Sequence, residues 1–244
     1  MSDDSPIFTL HSGLLREAPG SESSTLRALS ATGLQGAITV ADMGCGPGAS
    51  ALVLAQALPE ARITAVDLHQ PYLNALLRRA DAAGLGTHIE ASRVDMADAG
   101  FAPASLDLIW CEGALYFIGI EEGLRLWRPL LRPGGFVAFT DAVWLSPDRP
   151  DAARAVWDEY AEMTDIAGVS EKIVNAGFRL ETHFVLPPED WQAYLGPLGA
   201  RAALLRPEAD GVLRQVVDGA LEEAALFDTH GESYGYAFFV ATHA

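Results

Sequence analysis

The chain is short of cysteine, of positive charge and of long apolar runs, and each shortage narrows its chemistry. Cys45 and Cys111 are the only cysteines in 244 residues. Two thiols are too few for a disulfide framework or a thiolate metal site. Lys and Arg together number 16 against 33 Asp and Glu, a formal net charge of −17. That balance speaks against a sequence-independent grip on nucleic acid or anionic lipid, both of which need basic patches. No uninterrupted apolar stretch approaches the roughly 20 residues that cross a bilayer. The opening residues Met1-Ser-Asp-Asp-Ser-Pro6 lack the basic start and apolar centre of a secretory leader, so the expected location is the cytoplasm. The six histidines are scattered without paired ligand spacing, and no metal is expected. Internal repeats and low-complexity tracts are missing too. With a hydrophobic content of 50% the chain can bury a large core, as one domain with appendages working on small molecules.

What is present is a glycine turn. Asp42-Met-Gly44-Cys-Gly46-Pro-Gly48 follows the apolar run 37–41 and precedes the helix-forming stretch 49–58. A buried strand that passes through glycines into a helix lets backbone N–H groups approach a ligand where a Cβ would clash. This is the pattern of a nucleotide-cofactor site. Gly44, Gly46 and Ala49 also satisfy G-x-G-x-x-G/A, so the glycines alone leave open a dinucleotide and S-adenosylmethionine. Asp42 separates them: a carboxylate at the strand end suits an α-amino group and a sulfonium, and would repel a pyrophosphate.

Strand and helix signals alternate from about residue 37 to 145, which predicts a parallel α/β sheet. The expected strands are 37–43, 62–67, 88–94, 106–111 and 135–141, with helices over 48–58, 71–83 and 121–131 between them. Further on, 151–163 and 165–176 read as helices, 178–186 as a sixth strand, and 187–228 as a mostly helical stretch that includes 191–195 and a longer helix over 208–227. The run 234–241 closes as a strand, and its connection places an antiparallel member at the sheet edge. Ahead of the first strand, helices are expected over 8–17 and 21–30, the second capped by Ser21 or Ser23. This piece is placed to fold over the carboxyl edge of the sheet, as a lid or as plain cover for apolar surface.

The candidate site residues all fall at that edge. Asp67 ends the second strand at the spacing from Gly44, about 20 residues, expected of a carboxylate that accepts both ribose hydroxyls; an N-cap role is the alternative. Asp95 follows the third strand and would accept an adenine amino group, with Met96 on the ring. Glu112 and Tyr116 follow the fourth strand and point to the crevice between cofactor and acceptor. Cys111 reads as a small core residue or, with no partnered base in sight, a nucleophile. Asp141 and Trp144 lie on the same rim, Trp144 as pocket wall or hinge packing. Tyr234 and Tyr236 alternate around Gly235, and one or both reach the pocket or pack the sheet edge.

With these residues assembled, the chain resembles the class I S-adenosylmethionine-dependent methyltransferases. Within them it is similar to a bacterial group of small-molecule enzymes through Pro19-Gly-Ser-Glu-Ser-Ser-Thr-Leu-Arg-Ala-Leu29, Asp107-Leu-Ile-Trp-Cys-Glu-Gly-Ala-Leu-Tyr116 and Tyr234-Gly-Tyr-Ala-Phe-Phe239. Phe117 stands where that group carries an Asn. The resemblance implies a Rossmann-like α/β fold with a seven-stranded sheet ordered 3-2-1-4-5-7-6, strand 7 antiparallel, helices on both faces and a helical cover. The chain is expected to divide into a lid (1–36), a cofactor-binding core (37–187), a helical insertion at the acceptor pocket (188–233) and a closing strand (234–244). The resemblance implies that Asp42 and the loop Gly44, Cys45, Gly46 and Gly48 hold the methionine part, Asp67 with Leu68 the ribose, and Asp95-Met96 the adenine, with Cys111 alongside. Glu112 and Asp141 are the candidate catalytic acids; Tyr116, Trp144, Tyr234 and Tyr236 are the candidate acceptor contacts. The expected reaction is in-line methyl transfer to an N-, O- or S-nucleophile of a small molecule. The alternatives are a module that binds the cofactor without transfer, and a nicotinamide oxidoreductase.

Overall fold

A computed structural model of the protein describes residues 5–158 and 160–243. Residues 1–4 of the expected lid, residue 159 of the expected helix 151–163 and residue 244 of the closing strand lie outside them. In chain order the elements are α1 (Pro6–His11), α2 (Glu22–Thr32), β1 (Thr39–Met43), α3 (Ala49–Ala57), β2 (Arg62–Val66), α4 (Gln70–Ala82), β3 (Ile89–Ser92) and β4 (Leu106–Glu112). They continue with α5 (Ile120–Trp127), β5 (Leu131–Trp144), α6 (Asp151–Trp157), β6 (Thr164–Asp165), α7 (Ile166–Asn175), β7 (Phe178–Val185), α8 (Pro188–Leu205), α9 (Gly211–His230) and β8 (Tyr234–His243).

The sheet runs β3-β2-β1-β4-β5-β8-β7. Its first five strands are mutually parallel, and β8 lies antiparallel between β5 and β7. This is the expected order, with one addition: the two-residue β6 pairs with Val143 and Trp144 of β5 and makes an eighth strand. The strands alternate between two cores. Trp110 and Phe238 point to one face, under α2, α3, α4, α8 and α9, while Cys111 and Phe239 point to the other, under α5 and α7. Because both faces are covered, the strands read as near-continuous apolar runs.

Several element boundaries differ from expectation. The helix foreseen over 151–163 stops at Trp157, because Trp157 turns onto Tyr234 (5.4 Å between rings) and Tyr160 turns toward Tyr116 (5.7 Å); tertiary packing overrides propensity. The helix foreseen over 121–131 ends at Trp127, passes through a 3₁₀ turn, Arg128–Leu130, and Leu131 already pairs with Leu106. In the expected helical stretch 187–228, the piece 191–195 belongs to a longer helix, the 18-residue α8, which runs through Pro197; Trp191, Tyr194, Leu195, Leu198 and Ala202 bury one face at helical spacing. The first helix stops at His11 rather than residue 17, and Gly13 just beyond it has φ +85°. Ser21 caps α2, its hydroxyl accepting from Ser24 N–H at 3.2 Å. The small helix α1 packs on α8 and α9 above the carboxyl edge of the parallel strands. Among the described residues no helix is long and apolar enough to cross a membrane.

Candidate active site

Between β1 and α3 the chain turns through residues with φ of +69° at Gly44 and +52° at Gly46, a region that side chains avoid. A Cβ on Gly44 would lie 2.4 Å from that of Ala114, so only glycine fits. The Gly44 and Cys45 N–H groups donate to Val66 O at 2.8 and 2.9 Å, tying the turn to β2. Gly46 N–H donates to Asp67 Oδ2 at 2.8 Å, and the other Asp67 oxygen accepts His69 N–H at 2.8 Å. Gly48 serves packing instead: a Cβ there would fall 2.1 Å from Leu76 Cδ1.

The turn borders a cavity of about 740 Å³, within the roughly 300–1,000 Å³ usual for ligand pockets. One end is walled by Gly44, Gly46, Asp67, Leu68, Asp95 and Met96. Asp95 accepts Ala97 N–H at 2.9 Å, and Met96 O accepts the Trp127 indole N–H at 2.8 Å, which fixes the loop after β3. The other end is walled by the cover helices, with Tyr194 of α8 and Val216, Gly219, Ala220 and Glu223 of α9. On the wall Phe8 of α1 stacks on His69 with ring centroids 3.6 Å apart and meets Tyr72 edge-on. Arg and Lys are missing from the described residues on the wall, which carries Glu17, Asp67, Asp95, Glu112 and Glu223.

Glu112 sits between the two ends, at the tip of β4. Its Oε1 accepts the Thr25 hydroxyl at 2.7 Å and the Trp110 indole N–H at 2.9 Å, and Arg16 lies 4.0 Å from Oε2. Burial raises its pKa, and Arg16 and the two donors offset part of that rise. Asp42 lies below the turn, fully buried, with Oδ2 accepting from Ser50 Oγ at 2.7 Å. Burial pushes its pKa up to about 7 against the Ser50 bond. Asp67 is likewise raised by burial, against its two backbone bonds.

Several sequence-predicted residues lie off this cavity. Cys111 is fully buried in the core under α5, and Cys45 borders only a small recess between the turn and Arg16. Burial raises both thiols. Trp144 packs on Tyr234 and under the Arg149 guanidinium rather than on a pocket. Tyr234 and Tyr236 form a buried aromatic cluster with Trp191 behind the wall, and Tyr236 C=O accepts the Leu186 N–H at 2.8 Å. Asp141 is buried behind Tyr116 and faces Tyr160, and burial raises its pKa to about 7. Tyr116 is on the wall. Sequence reasoning missed Phe8, His11, Glu17, Tyr72, Tyr194 and Glu223. The one local signal was in α9, where Glu223 continues the apolar stripe Val216, Gly219, Ala220 at helical spacing. Among the described residues no cluster of His, Cys, Asp and Glu can hold a metal ion.

Residues 40–135 match the family model described as a methyltransferase domain. The chain carries a methyltransferase domain. It begins in β1 and ends in β5, and so contains the glycine turn, Asp67, Asp95 and Glu112 and excludes the cover helices. A trans-aconitate 2-methyltransferase of Delftia acidovorans is 33% identical over 135 residues, 52% of this chain and 45% of that protein. A ribosomal RNA large subunit methyltransferase G of Pseudomonas paraeruginosa is 31% identical over 115 residues, 47% of this chain and 30% of that protein. The chain spans less than half the length of these curated relatives. Among solved structures, a methyltransferase of Geobacter sulfurreducens in complex with S-adenosylhomocysteine superposes with a TM-score of 0.84 at 18% identity, covering 99% of both chains. The fold is therefore the methyltransferase fold over the full described length, cover included.

Proposed function

We propose that the protein is an S-adenosylmethionine-dependent methyltransferase whose acceptor is a small molecule. The observation that carries this reading is the joining of Gly46 to Asp67 at 2.8 Å on the wall of a cavity that continues under α8 and α9. The residues fit the cofactor. The Gly44 turn leaves room that a Cβ would fill, Asp67 keeps free lone pairs for two ribose hydroxyls, and Asp95 with Met96 offers an acceptor and an apolar surface to adenine. Leu68, which is exposed, lies beside the ribose position. A wall with five carboxylates suits a cationic cofactor and disfavours a pyrophosphate.

S-adenosylmethionine, when bound, supplies an already activated methyl group, so the chain's task is alignment and exclusion of water. Glu112, anchored by Thr25 and Trp110, is the acid we assign to hold positive charge or take a proton beside the acceptor. Asp141, off the wall, is assigned a packing role. The cover formed by α1, α8 and α9 bounds the acceptor end, and a net charge of −17 repels phosphate backbones. Both favour a small molecule over RNA. The wall's lack of Arg and Lys among described residues disfavours a polycarboxylate such as that named for the Delftia relative. The test is incubation with methyl-labelled donor and fractionated small-molecule extracts. The expected result is a labelled small product together with S-adenosylhomocysteine; donor bound but never consumed would favour a binding module.

A further inference from the structure

The acceptor end holds a carboxylate, Glu223, with no ion-pair partner among the described residues. Glu223 of α9 lines the cavity together with Gly219 and Ala220, and a Cβ built on Gly219 would meet nothing within 4 Å. Among the described residues it makes no hydrogen bond or ion pair. His11 on α1 is the nearest group able to carry positive charge, and its Nδ1 is already joined to Glu17 at 2.5 Å. Leaving water without a counter-charge is costly for an anion, and burial accordingly raises the Glu223 pKa. The rings of Tyr194 and Tyr116 share this end of the cavity and lie within electrostatic reach of Glu223. Tyr234 and Tyr236 stand behind them, also within reach. Aromatic faces and an unpaired carboxylate around one space are the recognition chemistry of an organic cation.

We propose that Glu223, Tyr194 and Tyr116 bind the positively charged nitrogen of a small amine or quaternary ammonium, making the acceptor a cation. This rests on the reading of the cavity as a methyltransferase site. It goes further in naming the charge of the acceptor and the residue that selects it. A desolvated carboxylate attracts a cation strongly at short range, and the rings add attraction without demanding a hydrogen-bond geometry. An anionic ligand would meet Glu223 and Glu17 in the same space.

Calorimetric titration separates charge from shape. Choline and its uncharged carbon isostere, 3,3-dimethyl-1-butanol, are titrated into protein saturated with S-adenosylhomocysteine. Choline is expected to bind about tenfold tighter than the isostere. Glu223→Gln should erase that preference while leaving S-adenosylhomocysteine affinity unchanged. Tyr194→Leu is the second variant, and should weaken choline several-fold more than the isostere, which keeps the test open if Glu223→Gln does not fold. Equal affinity for the two probes, no binding of either at millimolar concentration, or a preference that survives Glu223→Gln would overturn the proposal. If S-adenosylhomocysteine itself fails to bind, the cofactor reading falls, and the same titration on ligand-free protein still measures the preference for a cation.

Discussion

Both oxygens of Asp67 accept a backbone N–H, from Gly46 and His69, so this side chain shapes the glycine turn before any ligand arrives. Asp67→Ala should therefore act twice. Loss of two charge-assisted ribose bonds, each worth about 1.5–3 kcal/mol, should lower S-adenosylhomocysteine affinity at least tenfold. The stranded N–H groups should also lower the melting temperature of ligand-free protein, where a rim carboxylate with a purely ligand-binding role would leave it unchanged. Calorimetry and thermal melting on the same variant read the two effects separately, and unchanged affinity would remove Asp67 from the site. Asp67 was legible in the sequence because a strand, a glycine turn and the next strand's end are close along the chain. Glu223 and Tyr194 were not, because they reach the same cavity from helices more than 100 residues away. The spacing of Glu223 after Val216, Gly219 and Ala220 places it on their helix face, but nothing local says that this face lines a cavity.

Among elements, the five parallel strands could be read from apolar runs such as Leu106–Cys111, while their order followed from the family resemblance. The misread elements are those whose limits are set by distant packing: α6 is cut short by contacts of Trp157 and Tyr160, and α8 is carried past Pro197 by its buried stripe. The segment before β1 is tied down at several points. Thr25 donates to Glu112, Ser24 donates to Asp190 of α8 at 2.5 Å, and Gly20 N–H donates to Asp190 O at 3.1 Å. Helix α2 thus connects the tip of β4 to the cover, and the motif Pro19–Leu29 singled out in the sequence gains a physical reason: its Ser24 and Thr25 hydroxyls hold a buried carboxylate each.

For the whole molecule, the excess of acid is partly folded inside. Asp42 and Asp141 are buried with pKa values raised to about 7 from an ordinary 3.8, so the native state binds protons that the unfolded chain has released. Between about pH 4 and 7 native protonation exceeds unfolded protonation, and stability falls as pH rises through that window. The ligand-free protein should melt several degrees lower at pH 8 than at pH 5, and Asp42→Asn or Asp141→Asn should flatten the dependence; a melting temperature that climbs over this range would contradict the burial of these acids. The central claim is that a methyltransferase domain and its cover enclose one cofactor and acceptor cavity. Calorimetry of folded protein with S-adenosylhomocysteine tests it most directly, with NADH as the control. A single site of micromolar affinity, about 8 kcal/mol, and no heat with NADH is the predicted result. No heat with S-adenosylhomocysteine, or tighter binding of NADH, would contradict it.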